Sequence, residues 1–116
     1  MSDKIKYPEV LPFDPTGCKA TVEFEADVTI KLNNSEEKAE LKVAYAPDKS
    51  TLRQDQFQEF LKAFSQHATL TPETYVSHLA AALYDTLVPY KVKVKAEIKY
   101  GNLKQEVSAE KAQPGY

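Results

Sequence analysis

The sequence has little of several residue types on which common functional sites depend. One cysteine, Cys18, in 116 residues excludes an internal disulfide and cannot by itself form a thiolate metal site. Three glycines are too few and too scattered for the glycine-rich loop that holds a nucleotide phosphate. The two histidines, His67 and His78, do not have the spacing of metal ligands. The sequence therefore predicts no disulfide, no phosphate-binding loop, no metal site and no bound cofactor.

Long apolar runs and an excess of one charge are also missing. No apolar stretch approaches the ~20 residues of a membrane span, and residues 1–10 lack the apolar segment of a secretory signal. We therefore expect no membrane partner and a cytoplasmic location. The formal net charge of −2 gives no general attraction for nucleic acid, which makes nucleic acid an unlikely partner. With 42% hydrophobic and 28% charged residues, the composition is that of a globular protein.

Two segments near the N-terminus alternate strictly between apolar and polar residues. Residues 19–32 read KATVEFEADVTIKL, and residues 38–45 continue in the same way after a turn predicted at NNSE. Period-two alternation over this length indicates strands with one apolar face. Pro47-Asp48 is predicted to close this hairpin. Residues 1–17, which contain several prolines, are predicted to form an irregular lead-in.

The period then changes to that of two helices. Phe57, Phe60, Leu61 and Phe64 form one apolar stripe at helical spacing. A second helix is predicted to begin with Thr71 as N-cap, Pro72 in the first turn and Glu73 near the positive end of the helix dipole. Its buried stripe contains Tyr75, Val76, Leu79, Leu83 and Leu87, and Pro89 ends it.

Alternation returns in residues 91–99 and 103–110, with a turn at Tyr100-Gly101-Asn102. The predicted fold class is α+β, in the order ββααββ. It forms a single domain over residues 1–116 with a mobile tail at 112–116. Two helices cover only one face of a four-stranded antiparallel sheet, so the charged face is either solvated or lines the lumen of an oligomeric barrel. Ion pairs between the acidic first strand and the basic third strand are a further expectation.

This order of elements resembles the tunnelling fold, the class that contains dihydroneopterin aldolase, pyruvoyl-tetrahydropterin synthase, GTP cyclohydrolase I and the QueF nitrile reductases. Residues 41–87 are most similar to QueF, through the YAPD corner at 45–48, the helix ending in FSQH at 64–67 and a second helix opened by a glutamate. The final QPGY is similar to the late Pro-Gly of that family. The resemblance implies a homo-oligomer and a ligand that is a 7-deazaguanine, purine or pterin.

The resemblance also implies site residues. Glu73 matches the glutamate that binds the donor edge of the ring, since a carboxylate accepts two parallel hydrogen bonds from such an edge. A plain first-turn glutamate, stabilised by the helix dipole alone, is the alternative. His67 matches the histidine between the helices, which would help to hold the ligand; exposure or helix capping is the alternative.

The departures from the QueF pattern concern the reductase chemistry. The catalytic cysteine falls near Ile30–Leu32, where this chain has no thiol, and the family's aspartate falls near Glu37. The family's His-Glu pair appears as Pro72-Glu73, and its NADPH motif corresponds to Arg53–Gln58 without the required lysine and glutamate. A thioimide reductase lacking these groups cannot run its reaction. Cys18 is the remaining candidate nucleophile, although single cysteines are more often inert packing residues.

Three functions follow from the sequence. The first is a QueF-like protein of 7-deazaguanine or related purine or pterin metabolism that binds the ring through Glu73, with help from His67. The second is a non-catalytic assembly or interaction module on the same scaffold, favoured by the missing catalytic residues. The third, ranked last, is contact of RNA phosphates with the lysines of residues 91–104, which are interleaved with acids.

Overall fold

The computed structural model of the chain describes residues 7–14, 16–32, 35–66 and 71–115. The elements in chain order are β1 (Val10–Pro12), β2 (Val22–Lys31), β3 (Glu36–Ala46), β4 (Ser50–Leu52), α1 (Gln54–Ser65), α2 (Pro72–Leu87), β5 (Lys91–Tyr100) and β6 (Leu103–Ala112). The α+β prediction is therefore confirmed, with two helices and a four-stranded antiparallel sheet. Among the described residues, no helix is long and apolar enough to cross a membrane.

The four long strands form one antiparallel sheet in the order β2-β3-β5-β6. The predicted alternation is confirmed on both central strands, where the apolar positions of β3 and β5 are buried and the intervening positions are more exposed. Helix α1 packs against β2, while α2 packs against β5 and β6. Both helices thus cover the apolar face, and the polar face of the sheet stays uncovered by any described element.

The order of the strands corrects one expectation. Strand β3 lies between β2 and β5, so the acidic strand β2 has no cross-strand contact with the lysines of β5. Those lysines instead form ion pairs with β6, as Lys91–Glu110 at 3.1 Å and Lys95–Glu106 at 3.6 Å show. The physical reason is that the turn-linked strands of each hairpin pair with one another, which leaves the two central strands, β3 and β5, to join the hairpins.

The ends of the second helix follow its sequence signals. Thr71 has extended backbone and its hydroxyl accepts a hydrogen bond from the backbone N–H of Thr74 at 3.2 Å, so the predicted N-cap is confirmed. Pro72 occupies the first turn, as predicted. At the other end Val88 has a left-handed backbone with φ of 46°, and its N–H donates to the carbonyl of Tyr84. Pro89 then prevents the helix from continuing.

The lead-in contains order that the sequence did not predict. Strand β1 pairs with β4 in a separate two-stranded sheet. Arg53 holds this region to the start of α1 through Glu9 at 3.2 Å and Asp55 at 3.0 Å. Tyr7 packs on Phe60 with ring centroids 5.4 Å apart. Three-residue strands carry too few alternations to be recognised by periodicity, which is why both were missed.

The start of the predicted tail is also tied to the fold. Ala112 is the last residue of β6 rather than the first of a tail. The backbone N–H of Gln113 donates to the carbonyl of Tyr90 at 2.9 Å, and its side-chain amide donates to Asp48 at 3.2 Å. Because Asp48 belongs to the corner after β3, this amide joins the end of the chain to the end of the first hairpin.

Candidate functional site

The sheet has a well-defined end beside the N-terminus of α2. Glu73 is the second residue of that helix and its side chain is exposed. A carboxylate there meets the positive end of the helix dipole and the unpaired N–H groups of the first turn. The helix dipole therefore accounts for an accessible carboxylate at this position without a ligand, which is the simpler of the two interpretations of Glu73.

Two further polar groups stand at the same end, on the face of the sheet that the helices cover. Glu37 lies in β3 in phase with the buried residues Ala39 and Leu41, and Tyr100 lies in β5 in phase with Ile98. Ala39 and Ile98 are cross-strand partners, so the next inward-facing positions along the two strands are Glu37 and Tyr100. Both side chains are half-buried. A carboxylate and a phenol thus replace the apolar side chains at the end of the core.

The electrostatics of Tyr100 link these groups to α2. Partial burial is the main cause of the raised pKa of Tyr100, and the negative charges of Glu37 and Glu73 raise this pKa further. Both carboxylates are therefore close enough to act on one phenol, although they come from a strand and a helix far apart in sequence. The two carboxylates suit a ligand edge with several N–H donors and disfavour an anion, while the phenol O–H can donate as well as accept.

The predicted site residues are not all brought together. His67 lies outside the described residues. Cys18 is exposed and precedes β2 at the end of the sheet where Val22 pairs with Tyr45. Glu37 lies at the other end of the sheet, and a strand of ten residues such as β2 spans about 30 Å at ~3.3 Å per residue. Within one chain Glu73 and Glu37 both raise the pKa of Tyr100, whereas Cys18 lies far from Glu37.

The stretch Ile30–Leu32, near which the resemblance placed the cysteine, begins with a core residue. Ile30 is fully buried and is the cross-strand partner of Glu37. An aliphatic side chain here adds packing beside the carboxylate and offers no nucleophile. Among the described residues, no group of three or more histidine, cysteine, aspartate or glutamate side chains has the arrangement of a metal site.

The uncovered face of the sheet carries rows of like charge that run across the strands. Asp27, Glu40, Glu97 and Glu106 are successive cross-strand neighbours and form one acidic row over all four strands. Three of these carboxylates line a concave pocket of about 560 Å³ together with Lys38 and Lys99. Like charges directly opposite each other in a sheet are destabilising, so this row lowers the stability of the single chain.

Three lysines of the second hairpin are paired with acids. Lys91, Lys95 and Lys104 each pair with a carboxylate of the second hairpin, at 3.1, 3.6 and 3.3 Å. A phosphate backbone is attracted by a surplus of positive charge rather than by lysines already paired with acids. These ion pairs weaken the case for contact with RNA, the function that the sequence ranked last.

Sequence reasoning placed Tyr100 in a turn and missed it as a site neighbour. Two features of the sequence could have identified Tyr100 and its neighbour Glu37. Tyr100 continues the inward phase of β5 by two residues beyond Ile98, and Glu37 continues the inward phase of β3 by two residues before Ala39. Polar side chains at core-facing positions near a strand end are unusual, because burial without a partner is costly.

Comparison with known proteins identifies the fold. No family model matches the chain, and no curated protein matches its sequence. Among solved structures, the chain is similar to the apo form of the archaeosine synthase QueF-Like, with a TM-score of 0.73. The match covers 80% of this chain and 94% of that one at 19% sequence identity. At this identity the likeness concerns the fold, and the protein therefore has a QueF-like fold.

Proposed function

We propose that this protein binds a 7-deazaguanine, or a related purine or pterin, through the carboxylate of Glu73 at the end of the sheet beside α2. The observation that carries the proposal is the end of the sheet beside α2, where Glu37 and Tyr100 take the inward positions next to Ala39 and Ile98. The charges of Glu37 and Glu73 both raise the pKa of Tyr100, in keeping with this arrangement. A guanine-type ring presents adjacent N–H donors, which a carboxylate accepts in parallel. His67, at the start of the segment between the helices, is proposed to help hold the ring.

Nitrile reduction is not part of the proposal. The stretch near which the family's cysteine would fall, Ile30–Leu32, has no thiol and begins with the buried Ile30. At the start of α1 the N-cap Arg53 pairs with Asp55, and no cofactor-binding lysine occurs in residues 53–58. Binding of the ring, with or without a different reaction, is what the remaining residues support. The alternative is a non-catalytic assembly module on the same scaffold, which predicts that none of these rings binds.

A homo-oligomer is part of the same proposal. Strands β2 and β6 are both ten residues long and both leave one side without a partner strand in the sheet. Edge-to-edge association of copies into a closed ring would pair these edges and turn the polar face of the sheet toward a lumen. The molar mass in solution tests this, and a monomer at micromolar concentration would contradict it.

The ligand proposal is tested by isothermal titration calorimetry, in which the protein is titrated with guanine, 7-cyano-7-deazaguanine or neopterin. We expect at least one ring to bind, and we expect Glu73→Ala to weaken its binding about tenfold or more, because two charge-assisted hydrogen bonds are lost. Glu59→Ala is the matched control, since Glu59 is exposed on α1 and should leave the affinity unchanged.

The possible outcomes test the ligand class and the assignment of Glu73 separately. If no ring binds, the ligand proposal fails and the assembly module remains. If a ring binds and Glu73→Ala has no effect, the ligand class stands but the assignment of Glu73 is wrong. A cytoplasmic location stays a prediction from the sequence.

A further inference from the structure

A buried hydrogen bond between two hydroxyls joins the two helices. Ser65 Oγ and Tyr75 Oη are 2.8 Å apart, and the two residues are 3% and 2% exposed. Ser65 is the last residue of α1, and Tyr75 lies in the first turns of α2. In the part of the chain that the structure describes, Ser65 is the buried polar residue of an otherwise apolar and aromatic core.

Stability alone does not account for this pair. A neutral hydrogen bond adds little net stability, and replacing both partners by apolar groups of similar shape is often neutral. Tyr75 already packs by its ring, with Phe64 edge-on at 5.5 Å between centroids. A phenylalanine and an alanine would fill this space without any polar group to satisfy. What the hydroxyls add is direction, because a hydrogen bond fixes an angle that apolar contacts leave freer.

The orientation of Tyr75 also determines the orientation of Glu73 on the same helix. Tyr75 follows Glu73 by two residues, which places their side chains on roughly opposite sides of the helix at ~100° per residue. When Ser65 holds the hydroxyl of Tyr75 inward, Glu73 is held outward at the end of the sheet. The cap formed by Thr71 lies within the start of α2 and does not fix that start relative to α1.

We infer that Ser65 and Tyr75 are positioning residues, whose hydrogen bond fixes the first turn of α2 so that Glu73 meets the ligand. The binding of a ligand by Glu73 is taken from the proposed function, and the fixing of α2 is argued from the Ser65–Tyr75 hydrogen bond. The pair joins the last residue of α1 to the first turns of α2, close in sequence to Glu73.

The first test uses binding of guanine or 7-cyano-7-deazaguanine. Tyr75→Phe and Ser65→Ala should each weaken binding about threefold to tenfold, the range expected for one lost neutral hydrogen bond. Tyr84→Phe is the matched control, because it removes a phenol hydroxyl from the same helix far from the pair, and it should leave affinity unchanged. In a Glu73→Ala background Tyr75→Phe should have no further effect. Full affinity in Tyr75→Phe would overturn the inference.

The second test needs no ligand. Spin labels are attached after Glu73→Cys and Lys93→Cys substitutions in a Cys18→Ser background, and the distribution of distances between them is measured by pulsed electron resonance. Tyr75→Phe should broaden or shift the distribution, while Tyr84→Phe should not. An unchanged distribution would overturn the positioning role even if a ring binds. A broadened distribution in a protein that binds no ring would retain the structural role of the pair while the proposed function fails.

Discussion

The two hairpins of the sheet follow the same pattern of residues but are held together differently. Strands β5 and β6 are joined by three lysine–carboxylate pairs on the uncovered face. Strands β2 and β3 place Glu25 opposite Lys42 in the same way, yet no ion pair between these two strands occurs among the described residues. The second hairpin therefore has charge compensation that the first lacks.

The helices also cover the second hairpin more fully than the first. Helix α2 has 16 residues and lies over β5 and β6, where Lys111 also covers the ring of Tyr84 at 4.8 Å. Helix α1 has 12 residues and leaves a groove of about 490 Å³ beside β2. The apolar side chains of β2 are mostly half-buried as a result. The first hairpin is thus the open half of the subunit, which suits an edge that a second copy is proposed to cover.

The largest expected effect comes from truncating equivalent valines in the two halves. Val94 of β5 is fully buried, whereas Val28 of β2 is half-buried on the same face. Val94→Ala should lower the free energy of unfolding by about 2–3 kcal/mol, and Val28→Ala by less than about 1 kcal/mol, because cost follows the apolar area lost. Denaturant unfolding at a fixed protein concentration measures both.

This pair also reports on assembly. If copies associate through β2, the half-buried Val28 becomes covered, and the cost of Val28→Ala should rise with protein concentration. Equal costs for the two variants at low concentration would contradict the difference between the two halves.

An intermediate effect is expected at alkaline pH. It comes from Tyr75, whose hydroxyl links α2 to Ser65 of α1. Burial raises the pKa of Tyr75 above its ordinary value of 10.0, and the hydrogen bond with Ser65 offsets part of this. The folded protein therefore keeps this proton to a higher pH than the unfolded chain does. Its stabilising contribution is complete below pH 10.0 and is lost as the pH rises from there through the folded-state pKa.

The measurement is the denaturant midpoint between pH 9 and pH 11, a range chosen to bracket the ordinary phenol pKa of about 10. Tyr75→Phe should flatten the fall in stability across this range, while Tyr84→Phe should retain it. A fall of the same steepness in Tyr75→Phe would assign the alkaline sensitivity to another group, such as Tyr100, whose pKa is also raised by burial and by Glu37 and Glu73.

How far the sequence could predict this molecule depended on the length of each signal. The ten-residue strands and the Thr71-Pro72 helix start were predictable because several independent preferences agree there. Strands β1 and β4 were not, since three residues show no period. The placement of Glu37 and Tyr100 at one end of the core depends on the register between β3 and β5, which no local pattern specifies.

The smallest effect concerns the acidic row. Glu40 lies opposite both Asp27 and Glu97, and among the described residues it forms no ion pair. Glu97 lies opposite Glu40 and Glu106 but also pairs with Lys104 at 3.3 Å. Glu40→Gln should therefore raise the free energy of unfolding by about 0.5 kcal/mol, whereas Glu97→Gln should change it little, because the relief of repulsion is offset by the lost ion pair.

Salt decides whether this difference is electrostatic. At 1 M salt the screening length falls to about 3 Å, and the gain from Glu40→Gln should disappear. A gain that survives high salt would instead reflect a change in packing or strand propensity. Equal gains from the two substitutions at low salt would mean that the Lys104–Glu97 pair contributes nothing, and the charge compensation of the second hairpin would then rest on its other two ion pairs.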